Sequence, residues 1–134
     1  MGRPLRIVVP GQAYHVMARG NERKNIFRNA SDYRKFLKII KDASDKYSFS
    51  LYAYSLMTNH YHLLIRIEHP NLSTIMQYIN TRYGIYFNLR YKRNGHLFQS
   101  RFKSVIVEHG QFLLEVMRYM HLNPLRAGMV ESLD

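Results

Sequence analysis

Apolar positions along the chain switch between a period of two and a period of three to four, and the switches mark out seven elements. Residues 13–19 alternate, with Tyr14, Val16 and Ala18 opposite His15, Met17 and Arg19, and Gly20-Asn21 supplies a turn. From Ser31, placed to cap a helix, Tyr33, Phe36, Leu37, Ile40, Ala43 and Tyr47 recur every three or four residues. Residues 49–57 and 60–68 read as strands separated only by Thr58-Asn59, which predicts a tight antiparallel hairpin. A second helix is expected after Pro70, with Asn71 or Ser73 as cap and Leu72, Ile75, Met76, Ile79 and Tyr83 on its buried stripe, although Gly84 weakens its continuity. Beyond the loop around Arg93-Asn94-Gly95, residues 102–108 form a fourth strand. Residues 110–122 form a last helix, with Leu113, Met117 and Met120 toward the core and Pro124 as its stop.

The order βαββαβ plus one helix predicts an α+β fold, a ferredoxin-like split-βαβ antiparallel sheet with two helices on one face and an additional C-terminal helix. At 134 residues, without an internal repeat or a linker-like tract, the expectation is a single domain over 1–134. Helices on one face leave the other open. In residues 60–68 the apolar set Tyr61, Leu63, Ile65 and Ile67 needs the helices, so His60, His62, Leu64, Arg66 and Glu68 should line the open side.

That assignment holds two imidazoles side by side on a rigid sheet, which is half of a metal site. Further along, Glu115, Tyr119 and Asn123 are spaced four apart, so on a helix a carboxylate, a phenol and an amide oxygen project from one face. The last helix can dock across the open face or be lent to a partner in a homodimer, and either arrangement lets Tyr119 approach the histidines. His15 sits near the same face if the first strand pairs beside the third, and a packing or hydrogen-bonding role suits it best. His121 faces elsewhere on its helix, and Met57, Met76, Met117 and Met120 are core filler.

Charge narrows the partner. Lys and Arg number 20 against 9 Asp and Glu, a formal charge of +11, which favours a polyanion. No acidic residue lies between Glu68 and Glu108, whereas Arg82, Arg90, Lys92, Arg93, Arg101 and Lys103 do, interleaved with Tyr83, Tyr86, Tyr91, Phe98 and Phe102. Cations that track a phosphate backbone and aromatic rings that stack bases suit single strands or hairpins; packing of the second helix accounts equally well for Tyr83, Tyr86 and Phe87. A second basic stretch, Arg19-Gly20-Asn21-Glu22-Arg23-Lys24, is either a solvated turn or a strand end where backbone amides can meet a phosphate. The absence of cysteine excludes disulfides, thiolate metal sites and a cysteine nucleophile. No apolar run approaches membrane-spanning length and the N-terminus lacks a signal-peptide core, so a cytoplasmic location without membrane partners is expected.

Four stretches together resemble the tyrosine transposases of the HUH superfamily, most closely the REP-associated tyrosine transposases. They are Tyr14-His15-Val16-Met17-Ala18-Arg19-Gly20-Asn21, Met57-Thr58-Asn59-His60-Tyr61-His62, Gly95-His96-Leu97-Phe98-Gln99-Ser100-Arg101-Phe102, and Tyr119-Met120-His121-Leu122-Asn123-Pro124-Leu125-Arg126-Ala127-Gly128. The resemblance implies an enzyme that nicks single-stranded DNA near hairpins through a covalent 5′-phosphotyrosine, leaving a free 3′-hydroxyl. It implies Tyr119 as nucleophile and His60, His62 and Asn123 as metal ligands. Family members commonly continue some residues past the Asn-Pro-x-x-Ala-Gly segment whereas this sequence stops at Asp134, so DNA affinity or target choice is expected to differ if that tail helps recognise DNA.

The residue types suit that chemistry. A divalent ion on a nonbridging oxygen neutralises a phosphodiester and orients in-line attack. Two imidazoles and an amide suit Mg²⁺ or Mn²⁺, with zinc left open. A phenol with a pKa of about 10 needs activation. Glu115 can serve as base, support a ligand or be a solvated surface residue. The expected DNA contacts are Arg19, Asn21, Arg23, Arg90, Lys92, Arg93, Arg101 and Lys103. The alternatives are a noncatalytic RNA-binding ferredoxin-like module, whose open face should carry stacking aromatics, a domesticated DNA-binding regulator, and a related replication initiator.

Overall fold

The computed structural model describes residues 8–99, 101–107, 115 and 118. Its elements are β1 (Ala13–Arg19), a 3₁₀ turn at Asn21–Arg23, α1 (Ala30–Tyr47), β2 (Phe49–Leu56), β3 (His60–Ile67), α2 (Leu72–Tyr91) and β4 (Lys103–Val107). The strands pair antiparallel in the order β2-β3-β1-β4. This is the expected ferredoxin-like arrangement, with β1 and β3 as the inner pair. Of the last helix, Glu115 and Arg118 are described, helical and exposed. Tyr119, Asn123, Pro124 and the other positions assigned to that helix lie outside the described residues.

Local chemistry moves several boundaries. α1 is capped by Asn29 rather than Ser31: its side chain accepts from the Asp32 N–H at 3.2 Å, while the Asp32 carboxylate accepts from the Arg28 N–H at 2.8 Å. Ser31 falls inside the first turn. Asn71 precedes α2 without a side-chain cap, and its carbonyl accepts from Ile75 N–H at 3.0 Å. α2 runs through Gly84 without interruption, because the burial of Leu72, Ile75, Met76, Ile79, Tyr83 and Phe87 outweighs a helix penalty of about 1 kcal/mol at one glycine. Met57 leaves β2 to close the hairpin, donating its N–H to the His60 carbonyl at 2.9 Å, and Glu68 turns back to pair with Arg66.

Both helices cover one sheet face. Tyr14, Val16, Ala18, Tyr61, Leu63, Ile65 and Ile67 meet the apolar stripes of α1 and α2 there in one core. The opposite face carries Leu64 as expected, but it is not open along its whole length. Leu64 is fully buried with Ala13, Ala53 and Val107, and Tyr52, the extra residue of a bulge between Leu51 and Ala53, packs against them.

One buried carboxylate ties the helices together. Asp32 accepts from the Tyr86 and Tyr91 hydroxyls, both at 2.7 Å, and Arg90 approaches at 3.8 Å. Burial alone would raise its pKa, but the bonds from Tyr91, Tyr86 and the Arg28 N–H, with the Arg90 charge, outweigh burial and lower it.

Candidate active site

The site is assembled by register. Across β1 and β3, Arg19 faces His60, Met17 faces His62 and His15 faces Leu64. Ser55 of β2 also faces His62, and Lys103 and Val105 of β4 face Met17 and His15. Directly opposed residues in a sheet point to the same side. His15, Arg19, His60, His62 and Lys103 therefore share the face away from the helices, the side that strand alternation predicts for both ligand candidates.

Each ligand candidate is held by its Nδ1. His60 Nδ1 lies 2.8 Å from Asn59 Oδ1, and His62 Nδ1 lies 2.9 Å from His15 Nε2. The rings of His60 and His62 are 5.0 Å apart, as are those of His62 and His15. Asn59 is itself oriented, since its amide nitrogen donates to the Arg23 carbonyl at 3.4 Å and its oxygen is left to face His60. Tethering through Nδ1 leaves Nε2 of each ring, among the described residues, as the nitrogen open to a cation or a phosphate.

The rings are poor bases. Burial, then the neighbouring His15, His60 and Arg19 charges, brings His62 down to about 4. Burial and then Arg19 lower His60, and burial lowers His15. Neutral imidazoles at neutral pH are what metal ligation requires, so the donor set fits a divalent ion. Among the described residues no cluster of three His, Cys, Asp or Glu side chains surrounds a single point. Nε2 of His15 is occupied by His62. Glu115 is helical and exposed, and Tyr119 and Asn123 lie outside the described residues.

The other anticipated residues divide into groups. Arg19, Arg101 and Lys103 line one cleft with Met17 and Gln99. Asn21 and Arg23 sit exposed in the 3₁₀ turn that follows β1. Arg90, Lys92 and Arg93 cluster instead at the C-terminal end of α2, on the helical side of the sheet. There Arg90 donates to the Tyr86 hydroxyl at 3.0 Å and Arg93 to Asn88 Oδ1 at 2.7 Å. The interleaved aromatics belong mainly to the interior: Tyr83 and Phe87 are buried, and Phe98 packs edge-on to Tyr61. A groove of about 690 Å³ between α2 and residues 95–98, 101 and 102 includes Asn80, Asn88, His96 and Arg101, but neither His60 nor His62.

Sequence reasoning does not find Asn59 as the partner of His60. Its signal is present, because the last residue of a two-residue turn adjoins the first ligand. The turn is also fixed from outside: the Asn59 carbonyl accepts from Gly20 N–H at 2.8 Å and the Thr58 carbonyl from Ile26 N–H at 2.7 Å. Gly20 is required by close approach, since a Cβ there would lie 2.2 Å from the Lys24 carbonyl oxygen.

Residues 8–123 match the family model described as "Transposase IS200 like". Among curated proteins, no sequence matches. Solved structures that share the fold include these three. A REP-associated tyrosine transposase bound to a REP hairpin superposes with a TM-score of 0.74 at 16% identity, covering 93% of this chain and 73% of that one. A candidate transposase from Deinococcus radiodurans gives 0.61 at 13% identity, covering 90% and 97%. The tRNA(His) guanylyltransferase of Saccharomyces cerevisiae gives 0.57 at 12% identity, covering 90% and 61%.

Proposed function

The chain belongs to the IS200-like transposase family, and on that premise we propose that it nicks and rejoins single-stranded, hairpin-associated DNA through a covalent 5′-phosphotyrosine on Tyr119. The observation that carries this reading is the pair of neutral imidazoles on the open sheet face, each tethered by Nδ1, with the Arg19 side chain across the ladder. A structural relative bound to a REP hairpin supports a hairpin substrate.

His60 and His62, with Asn123, would hold a Mg²⁺ or Mn²⁺ ion, which when bound withdraws charge from the scissile phosphate. The protein's own residues do the rest. Arg19, Arg101 and Lys103 place positive charge beside the histidines and hold the backbone of the strand. The Tyr119 phenolate attacks phosphorus in line, the P–O3′ bond breaks, and the electron pair leaves on the 3′-oxygen, which takes up a proton to become the free hydroxyl. The phosphotyrosine keeps the bond energy, so attack by another 3′-hydroxyl restores a phosphodiester and releases Tyr119. Glu115, helical, exposed and four residues before Tyr119 in the sequence, acts as base or as support for a ligand. A noncatalytic RNA-binding module fits less well, because among the described residues β1 and β3 carry histidine, methionine and arginine on the open face, not stacking aromatics.

Incubation with single-stranded hairpin DNA and Mn²⁺ or Mg²⁺ tests the proposal. A protein–DNA adduct should survive denaturing electrophoresis, disappear in Tyr119→Phe and in His60→Ala or His62→Ala, and weaken in Asn123→Ala. An undiminished adduct in Tyr119→Phe would refute the nucleophile.

A further inference from the structure

We propose that His15 and Asn59 are positioning residues that fix the two ligand histidines in one tautomer, aiming Nε2 of His60 and of His62 outward; this rests on the metal reading of that pair. The carbonyl of Arg23 can only accept, so the Asn59 group facing it is the amide nitrogen, and the group facing His60 at 2.8 Å is the oxygen. An oxygen acceptor requires a proton on His60 Nδ1. A neutral ring protonated there carries its lone pair on Nε2.

The same reasoning reaches His62 through His15. A single proton lies in the 2.9 Å contact between His62 Nδ1 and His15 Nε2. If His15 held it, the His62 proton would sit on Nε2 and block ligation. For His62 to ligate, its Nδ1–H must donate and His15 must accept, so His15 carries its own proton on Nδ1. His15 comes from β1, 47 residues away in sequence, and is half-buried, so its ring cannot swing aside freely. A partner on the nitrogen opposite the metal orients a ligand imidazole and raises its basicity, and loss of such a partner typically weakens metal binding ~10- to 100-fold.

The two pairings can be tested without turnover. In the metal-free, ¹⁵N-labelled full chain, long-range ¹H–¹⁵N spectra should find the His60 proton on Nδ1, and Asn59→Ala should release it to a mixture of tautomers. A wild-type proton on Nε2 would overturn the role of Asn59. For His15, Mn²⁺ binding followed by electron paramagnetic resonance should weaken ~10-fold or more in His15→Leu, whereas His15→Gln, whose amide oxygen still accepts, should stay close to wild type. Thermal melts check that each variant is folded, and His15→Gln keeps the test informative if His15→Leu is not. Wild-type affinity in His15→Leu, with His62→Ala abolishing binding, would overturn the positioning role alone. Unchanged affinity in His62→Ala would overturn the metal reading beneath it.

Discussion

Arg19 stands directly across the β1–β3 ladder from His60, adding its positive charge to the burial that already holds His60 and His62 below the usual histidine range. On the proposed function, one guanidinium therefore adds to burial in keeping the candidate ligands unprotonated and also presents charge to an approaching phosphate. In Arg19→Gln, histidine titrations followed by NMR should show both rings moving up toward the ordinary value near 6.5. The log–log salt slope of binding to single-stranded DNA should fall by roughly 0.7. Unmoved titrations would mean that burial and the neighbouring histidines set these rings without Arg19.

Depressed histidines also make the metal-free fold sensitive to acid. Between pH 6.5 and about 4 the unfolded chain binds protons that folded His62 refuses, so stability is complete above pH 6.5 and declines as pH falls through this window. Urea midpoints for the wild type should drop steadily over that range. His62→Gln, which cannot titrate there, should flatten the decline.

Gly20→Ala should unfold more readily, by about 1–3 kcal/mol, because the new methyl meets the Lys24 carbonyl oxygen at 2.2 Å and the neighbouring backbone must give. Denaturant unfolding measures the loss. Gly84→Ala is the control: its Cβ would meet the Leu97 Cβ at an ordinary 3.8 Å, so it should be neutral or slightly stabilising.

The basic residues should separate into two classes. Arg101→Gln with Lys103→Gln should lower the salt slope of hairpin binding by roughly 0.7 to 0.9 for each phosphate that is no longer neutralised. Melting should change little. Arg90→Gln with Arg93→Gln should act chiefly on stability, because these side chains serve the Asp32–Tyr86 network and Asn88. Isothermal binding at several salt concentrations beside thermal melts distinguishes the two, and equal effects on both measurements would contradict the division.

The period-two runs and the hairpin turn are enough to place His60 and His62 on the face away from the helices, because a strand's sidedness is a local property. What local pattern cannot contain is the partner strand. That β1 lies beside β3, bringing His15 to His62, is decided by how the whole core closes, and the sequence leaves it conditional. The burial of Leu64 escapes for the same reason: it depends on Ala13, Ala53 and Val107 from three other strands and on a bulge at Tyr52. Local pattern sets the cap of α1 two residues late because Ser31 and Asn29 are both good caps, and the reciprocal bonds of Asp32 N–H to Asn29 and of Arg28 N–H to the Asp32 carboxylate decide for Asn29. The basic segment looks continuous in one dimension, yet α2 carries Arg90, Lys92 and Arg93 to the helical side of the sheet, Lys103 on β4 faces Met17 on the other, and Arg101 lines both the groove beside α2 and the cleft with Arg19.

The inner position of β1 and β3 has a consequence for how the molecule breathes. Edge strands can fray one ladder at a time, whereas an inner pair loses its hydrogen bonds only when much of the sheet opens. The amides of Tyr61 and Leu63, flanking His62, should therefore exchange with solvent deuterium at rates set by global unfolding, while those of Val105 and Ile106 on the β4 edge exchange through smaller openings. The histidine pair sits in the slowest-exchanging part of the sheet, so its geometry persists for as long as the domain stays folded.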